Sequence, residues 1–388
     1  MIRVGILDGQ TIQGVVFAKQ LKKAGYFVVL FCDTKMSYGY HTRYGDLKVA
    51  CPSTQNATVE FDTFFLDFLE KEHLDVVVPM NDYSAKYLSK NKATLKDKVG
   101  FTIPDYNIFM NAYDKNLLMK ICLKNKIPHP KSIDLSTLKW GEVITDFSFP
   151  ALIKPNETTG ARGFMKVGSF IEMWNSYESI LNEYGPCHLQ QFIRQDGMQY
   201  KVQLLMENNE ITNSSVIEKF RYYPINGGSS CFNHTIENNT MVNMCTHVLK
   251  LLKWEGFADF DLIEDPEDGI VKIMEINPRV PACIKASIVS GIDFPKAIVD
   301  MSLNKKVKKF HYSPDKYLRY FSMDLLWLFS NPNKLEAFRK WRKRFLSPKH
   351  FLQDGEFLDP MSFIIGTYSG IRKQLNPGFR AQKKGMNI

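Results

Sequence analysis

The residues best suited to chemistry lie in GFADFDLIEDPEDGIVKIMEINPR, positions 256–279. The pattern reads as a β-hairpin: a strand over 257–264, a turn through Pro266 and Gly269, and a second strand over 270–276. Side chains alternate along a strand, so Asp259, Asp261 and Ile263 share one face, and Glu275 and Asn277 share a face of the partner strand. Pairing of the two strands brings Asp261, Glu275 and Asn277 into one oxygen-rich cluster. Hard oxygen donors of this kind suit Mg²⁺, which takes a few carboxylates and completes its shell with phosphate oxygens and water. Solvated charges on an exposed hairpin do not explain why Glu275 and Asn277 sit among Ile273, Met274 and Ile276, where an unpaired polar group is costly. Arg279 points the same way as Asn277 and is placed to hold a carboxylate or a phosphate. Upstream, Thr158-Thr159-Gly160-Ala161-Arg162-Gly163 is small and glycine-bearing, which lets backbone N–H groups approach phosphate oxygens closely.

Elements on either side must hold these groups. Over residues 1–103, IRVGIL (2–7), YFVVLF (26–31), LKVAC (47–51) and DVVVPM (75–80) read as strands, with helical spacing over 12–24, 58–72 and 83–92. Strands apolar at nearly every position suit a parallel sheet covered on both faces, and the alternation implies a Rossmann-like α/β unit. Gly5, Gly9 and Gly14 follow the first strand but do not form the GxGxxG fingerprint of a dinucleotide site. They are read as a tight strand-to-helix turn or a small-molecule carboxylate site. From Asp105 the pattern becomes α+β: helices over 114–125, 170–183 and 240–253, and strands near 150–154, 163–167, 187–193, 199–206 and 211–217 ahead of the hairpin.

Glu-Ile-Asn-Pro-Arg at a strand end, with Asp261 fourteen residues before Glu275, resembles the ATP-grasp superfamily. It is most similar to the branch of carbamoyl-phosphate synthase large subunits and carboxylate–amine ligases such as D-aspartate ligase. The resemblance implies a Rossmann-like pre-ATP-grasp domain (1–104), an ATP-grasp domain (105–305, with a lid subdomain over about 118–195) and a basic C-terminal extension (306–388). It also implies roles: Asp261, Glu275 and Asn277 as metal ligands, and Arg279 as the cation that stabilises the acyl-phosphate transition state.

The same resemblance extends upstream. Asp114-Lys115 is similar to the family's DK motif, whose lysine reaches the ATP phosphates. Lys154, ending FPALIKP, matches the lysine at the α-phosphate and adenine edge. The loop carrying Thr159, Gly160 and Gly163 becomes the lid over the triphosphate, and Arg162 has no assigned part. His188–Ile193 resembles the adenine-binding hinge, with Gln190 or Gln191, then Phe192 and Ile193, as contacts. Many relatives carry Glu where Gln190 or Gln191 stands, and an amide still bonds the exocyclic amine. Gln199 stands where a ribose-binding Glu is usual. The loop 219–234, with Gly227 and Gly228, is expected to offer Lys219 and Arg221 to phosphate or acceptor. The implied cofactors are ATP and two Mg²⁺ ions, with Mn²⁺ able to substitute. The implied reaction activates a carboxylate as an acyl phosphate for attack by an amine, forming an amide with release of ADP and phosphate. Alternatives are an ammonia, bicarbonate or thiol acceptor, or a non-catalytic nucleotide binder. A single ATP-grasp unit argues against the full carbamoyl phosphate reaction.

Composition bounds the remaining classes. The seven cysteines form no CxxC pair, so neither a zinc site nor a disulfide framework is indicated. The strand-like run at residue 2 leaves no room for a signal peptide, and no apolar stretch reaches the roughly 18–20 residues that span a bilayer. A cytoplasmic protein is expected. The net charge of +9 is uneven: residues 305–388 hold 18 Lys and Arg against 6 Asp and Glu. The excess belongs to the tail and does not make the whole chain a nucleic-acid binder. In KLEAFRKWRKRFL (334–346), Leu335, Phe338, Trp341 and Phe345 share a helical face bordered by Arg339, Lys340, Arg342, Lys343 and Arg344. Such a helix either docks on the core or lies on an anionic membrane, the latter implying peripheral placement at the inner membrane surface and a lipid-linked or glycan acceptor. By analogy with relatives, a homodimer is expected.

Overall fold

The computed structural model describes residues 1–376 except 226–228, 344, 346 and 355–357. Gly227 and Gly228 of the expected loop, and Arg344 of the basic segment, lie outside the described residues. Strands β1 (Arg3–Leu7), β2 (Phe27–Cys32), β3 (Leu47–Ala50) and β4 (Val76–Pro79) form a parallel sheet in the order β3-β2-β1-β4. Alternate residues of β2 go to different cores. Val28 and Leu30 join Val16, Phe17 and Leu21 of the helix Ile12–Lys23. Val29 and Phe31 join Phe61 and Phe65 of the helix Thr58–Lys71. Burial on both faces accounts for the unbroken apolar run. The N-terminal glycines serve packing: a Cβ on Gly14 would meet the Gly9 carbonyl oxygen at 2.8 Å, and one on Gly39 would meet it at 1.8 Å.

A small antiparallel sheet follows, made of β5 (Ser132–Asp134), β6 (Ala151–Pro155), β7 (Met165–Val167) and β8 (Cys187–Gln191) in the order β5-β8-β6-β7. Ala151, Ile153, Cys187 and Leu189 face Met173, Trp174, Tyr177 and Ile180 of the helix Phe170–Tyr184. By alternation Leu152, Lys154, His188 and Gln190 face the other way.

The third sheet has seven strands. They are β9 (Gln199–Glu207), β10 (Glu210–Tyr223), β11 (Ser229–Ile236), β12 (Gly256–Glu264), β13 (Val271–Asn277), β14 (Tyr317–Arg319) and β15 (His350–Leu352), in the order β13-β12-β9-β10-β11-β14-β15. Tyr200, Val202, Leu204, Phe260 and Ile276 pack against the helix Asn239–Leu252. The opposite face carries the polar residues of the hairpin. The expected loop 219–234 is largely hairpin, because Lys219–Tyr223 extends β10 and Ser229–His234 begins β11.

The C-terminal segment is wired into this sheet. Strand β14 pairs antiparallel with β11, and β15 pairs parallel with β14. Helices Phe321–Ser330, Lys334–Arg342 and Pro360–Leu375 accompany them. The last helix reaches back to the N-terminal unit, where Ser362 Oγ donates to the Tyr38 carbonyl at 2.8 Å and Asp359 accepts from Thr42. Among the described residues, no helix is long and apolar enough to cross a membrane.

Candidate active site

A cavity of about 590 Å³ opens between the three sheets and the C-terminal helices. Its polar floor is the β12–β13 hairpin. Asp261 pairs with Glu275 and Asp259 with Asn277, so alternation places these four side chains on the face away from the core. Asp261, Glu275, Asn277 and Arg279 all line the cavity. Arg279 is held by Asp82, at 3.3 Å from Nε to Oδ1, and by Asn277, whose Oδ1 accepts from Nη2 at 3.1 Å. Asp82 opens the helix that follows β4, so Arg279 sits at the carboxyl edge of the parallel sheet. Burial works against the guanidinium, but the surrounding carboxylates, Asp82 foremost, outweigh it and raise its pKa.

Two further cations come from upstream. Asp114 caps the helix Lys115–Lys124 by accepting from Leu117 N at 2.9 Å, which presents Lys115 at the first helical position. Lys115 Nζ donates to the Thr158 carbonyl at 2.6 Å and stands 3.6 Å from Glu275 Oε2. Lys154, on the cavity face of β6, lies over the Phe164 ring at 4.9 Å and donates to Gln190 Oε1. Burial, opposed by Glu275 and reinforced by Lys115, pulls the Lys154 pKa down to about 8.

The remaining expected residues divide. Thr159, Gly160, Gln191, Phe192, Ile193, Gln199 and Lys219 line the cavity. Gln190 is fully buried behind Lys154 and does not line it. Gly163 lies off the cavity wall and packs on the Tyr184 ring, which a Cβ would meet at 2.7 Å. Arg221 corrects the expectation outright. It is locked against Asp324 at 2.7 and 2.8 Å and stacks on Phe232 and Trp327. The cause is a bulge: Lys219 pairs with Asn233 but Arg221 with Phe232, so one extra residue turns Arg221 to the opposite face from Lys219.

Lys201 was not anticipated and is central to the geometry. Its Nζ lies 2.6 Å from Asp259 Oδ2 and 2.8 Å from Asp261 Oδ2, while Lys219 Nζ lies 2.5 Å from Asp261 Oδ1. Burial alone would lower the Lys201 pKa, but Asp259 and Asp261 reverse this and raise it. Burial likewise opposes ionisation of Asp261, and the two lysines overcome it and hold its carboxyl far below the usual range. The signal was present in QYKVQ: Gln199, Lys201 and Gln203 alternate with Tyr200 and Val202, the pattern of a strand with one polar face. The C-terminal wall, including Tyr320, Ser322, Met323, Gln353 and Ile371, had no sequence signal at all.

The donor set suits a divalent cation that keeps much of its shell outside the protein. Among the described residues, no three His, Cys, Asp or Glu side chains are grouped to cage a metal. Glu275 and the Asn277 amide offer hard oxygens to the cavity, and Asp261 adds a carboxylate whose two oxygens are bridged to Lys201 and Lys219, a set that fits an ion completed largely by phosphate and water rather than by protein alone. Cys283 also lines the cavity, but burial pushes its thiol up to about 12, away from nucleophilic use.

Residues 199–323 match a family described as ATP-grasp in the biosynthetic pathway with Ter operon. The carbamoyl phosphate synthase large chain of Thermoanaerobacter sp. (strain X514) is 22% identical over 261 residues, 64% of this chain and 24% of that protein. This chain therefore spans about a quarter of the length of such relatives. The D-aspartate ligase of Enterococcus faecium (strain Aus0004) is 22% identical over 239 residues, 55% of each chain. In fold, the L-amino acid ligase from Bacillus licheniformis superposes with a TM-score of 0.61 at 16% identity, covering 79% of this chain and 75% of that one. By its three sheets, its acidic hairpin and these matches, the chain is similar to ATP-grasp proteins and shares their fold.

Proposed function

We propose that this chain is an ATP-dependent carboxylate–amine ligase, which converts an acid to an acyl phosphate and transfers the acyl group to an amine. The observation that carries the reading is the convergence of Lys115, Lys154 and Arg279 with Asp261, Glu275 and Asn277 around one cavity. A carboxylate is a poor electrophile, and phosphorylation by ATP supplies a leaving group. The γ-phosphoryl moves to a carboxylate oxygen, ADP departs, and the amine nitrogen then attacks the acyl carbon and expels phosphate.

Each side chain has a definable task in that sequence. Lys115 and Lys154 present ammonium groups to the phosphates, where fixed charge stabilises in-line transfer. The Thr158–Gly160 backbone closes over them, and Gln191, Phe192 and Ile193 form the slot for adenine, with Gln199 toward the ribose. Asp261, Glu275 and Asn277 would hold Mg²⁺, which supplies charge neutralisation of the β- and γ-phosphates. Arg279, held between Asp82 and Asn277, orients the substrate carboxylate at the carboxyl edge of the parallel sheet, where ligands bind in open α/β sheets. The C-terminal wall around Ser322, Gln353 and Ile371 then shapes the acid and amine pocket.

The test is ADP and phosphate release from Mg-ATP across a panel of carboxylic acids and amines, with Glu275→Ala alongside. Release that needs both an acid and an amine and is lost in the variant is expected. Release with bicarbonate or a thiol in place of the amine would change the acceptor. Nucleotide binding without turnover on any pair would overturn the ligase reading.

A further inference from the structure

The described residues expose nineteen large hydrophobic side chains, and eight of these fall between Phe329 and Leu375. The helix Lys334–Arg342 divides the apolar stripe read from its sequence. Trp341 turns inward and packs on Phe321 at 6.3 Å and Phe345 at 4.8 Å. Leu335 and Phe338 turn outward, 63% and 49% exposed. Exposed Lys334, Arg339, Lys340, Arg342 and Lys343 surround them, and the one acid of the helix, Glu336, is paired with Lys340 at 2.7 Å.

The last helix, Pro360–Leu375, repeats the arrangement. Phe363 faces inward to the same Phe321, at 6.4 Å. Met361, Ile364, Tyr368 and Leu375 are 54–58% exposed, and their spacing sets them along one face of the helix. Its inner side, through Ile371, lines the cavity. Neither outer face is covered by the described residues.

We propose that the outer faces of these two helices dock on an anionic lipid bilayer. The occupant is chosen by chemistry. Exposed Leu, Phe, Met and Ile need an apolar medium, while the cations beside them need negative charge, and an acidic bilayer surface supplies both within a few ångströms. A second copy of the chain presents the same positive region, which carries 18 Lys and Arg against 6 Asp and Glu over 305–388, and the like charges repel. The helices lie on the surface, since none of the described helices spans a membrane.

Co-sedimentation with vesicles of phosphatidylglycerol and phosphatidylcholine, against phosphatidylcholine alone, tests this with the full chain. Wild type is expected to pellet with the acidic vesicles at low salt, and 0.5 M salt is expected to release it, roughly the regime where screening falls to a few ångströms. Arg339→Ala with Arg342→Ala should lower the partition coefficient roughly 30-fold. Leu335→Glu with Phe338→Glu should abolish pelleting and lower the melting temperature only slightly, since Leu335 is exposed and Phe338 gives up a single ring contact, to Trp341 at 6.3 Å. Three results overturn the proposal: no pelleting with acidic vesicles, equal pelleting with neutral ones, or undiminished pelleting of the Leu335→Glu/Phe338→Glu variant. A vesicle-free dimer in sedimentation velocity that this variant dissociates would instead assign the face to a second copy, and would also overturn it.

Discussion

Replacing Lys201 with methionine removes the cation bonded directly to Asp259. That aspartate is fully buried, its Oδ2 lies 2.6 Å from Lys201 Nζ, and its Oδ1 has no hydrogen-bond partner among the described residues. Its remaining contact is a long one, 3.4 Å to Asn277 Nδ2. Asp261, by contrast, retains Lys219 at 2.5 Å and Asn277 at 2.9 Å, so the loss falls on Asp259. Breaking a buried ion pair by removing one partner costs about 3–5 kcal/mol. Urea denaturation of wild type and Lys201→Met should show a loss of that order, along with a lower Tm. Asp259→Asn in the same background removes the stranded charge and should recover at least about 2 kcal/mol, a coupling of the size seen for contacting groups. The variant should also respond to acid. Burial already raises the Asp259 carboxyl in wild type against the pull of Lys201, and losing the ammonium raises it further, so the added penalty is absent below the unfolded value near ~3.9. The penalty grows as pH rises from there to the folded value and is complete above it, so the gap from wild type should close toward pH 4. A Lys201→Met protein within about 1 kcal/mol of wild type, with no rescue by Asp259→Asn, would refute the assignment of Lys201 as the counter-charge of a buried carboxylate.

Lys154, with its pKa pulled down to about 8 by burial, is partly deprotonated in the free protein above neutrality. A phosphate beside it favours the ammonium, so ADP binding at pH 8–8.5 should take up part of a proton, measurable by calorimetry in buffers of different ionisation enthalpy, and Lys154→Met should abolish the uptake. Asp8 is pushed up to about 6, by burial first, with Ser84 opposing and Asp33 adding. Its folded pKa lies above the unfolded one, so it disfavours folding increasingly as pH rises from about 4 to 6. Asp8→Asn, which tolerates the left-handed φ of 54° there, should add about 1–3 kcal/mol at pH 7.5 and nothing at pH 4 in urea titrations. Gly39→Ala should destabilise the N-terminal unit by about 3 kcal/mol or more, since its Cβ would stand 1.8 Å from the Gly9 carbonyl oxygen and backbone yields less readily than a side chain.

Local pattern carried a good deal of this architecture. The parallel strands were legible because burial on two faces leaves no room for polar residues, and the hairpin because alternation and a Pro–Gly turn are short-range properties. The pairing of Asp261 with Glu275 follows from that turn, so the oxygen cluster was readable from 24 consecutive residues. Lys115 and Lys154 were legible through the family resemblance, in Asp114-Lys115 and FPALIKP, which the structure places at a helix cap and a strand end. Each signal lies within a few residues of the group it positions.

What the sequence left open depends on contacts between distant segments. Lys201 and Asp259 are 58 residues apart, and their 2.6 Å approach follows from the pairing of β9 with β12. The direction of Arg221 rests on a one-residue bulge, and a shift of one residue exchanges the two faces of a strand. Gln190 and Gln191 are indistinguishable as residue types, and only the sheet decides which one is buried behind Lys154. The tail read as a separate basic extension, yet β14 finds its partner in β11, some 85 residues earlier. No local signal encodes such a pairing, because it is selected by the free sheet edge it completes. The sequence by itself determined the acidic hairpin, the capped lysine and the layered N-terminal sheet. Tertiary structure alone decided which cations meet those carboxylates, and made the C-terminal helices a wall of the same cavity.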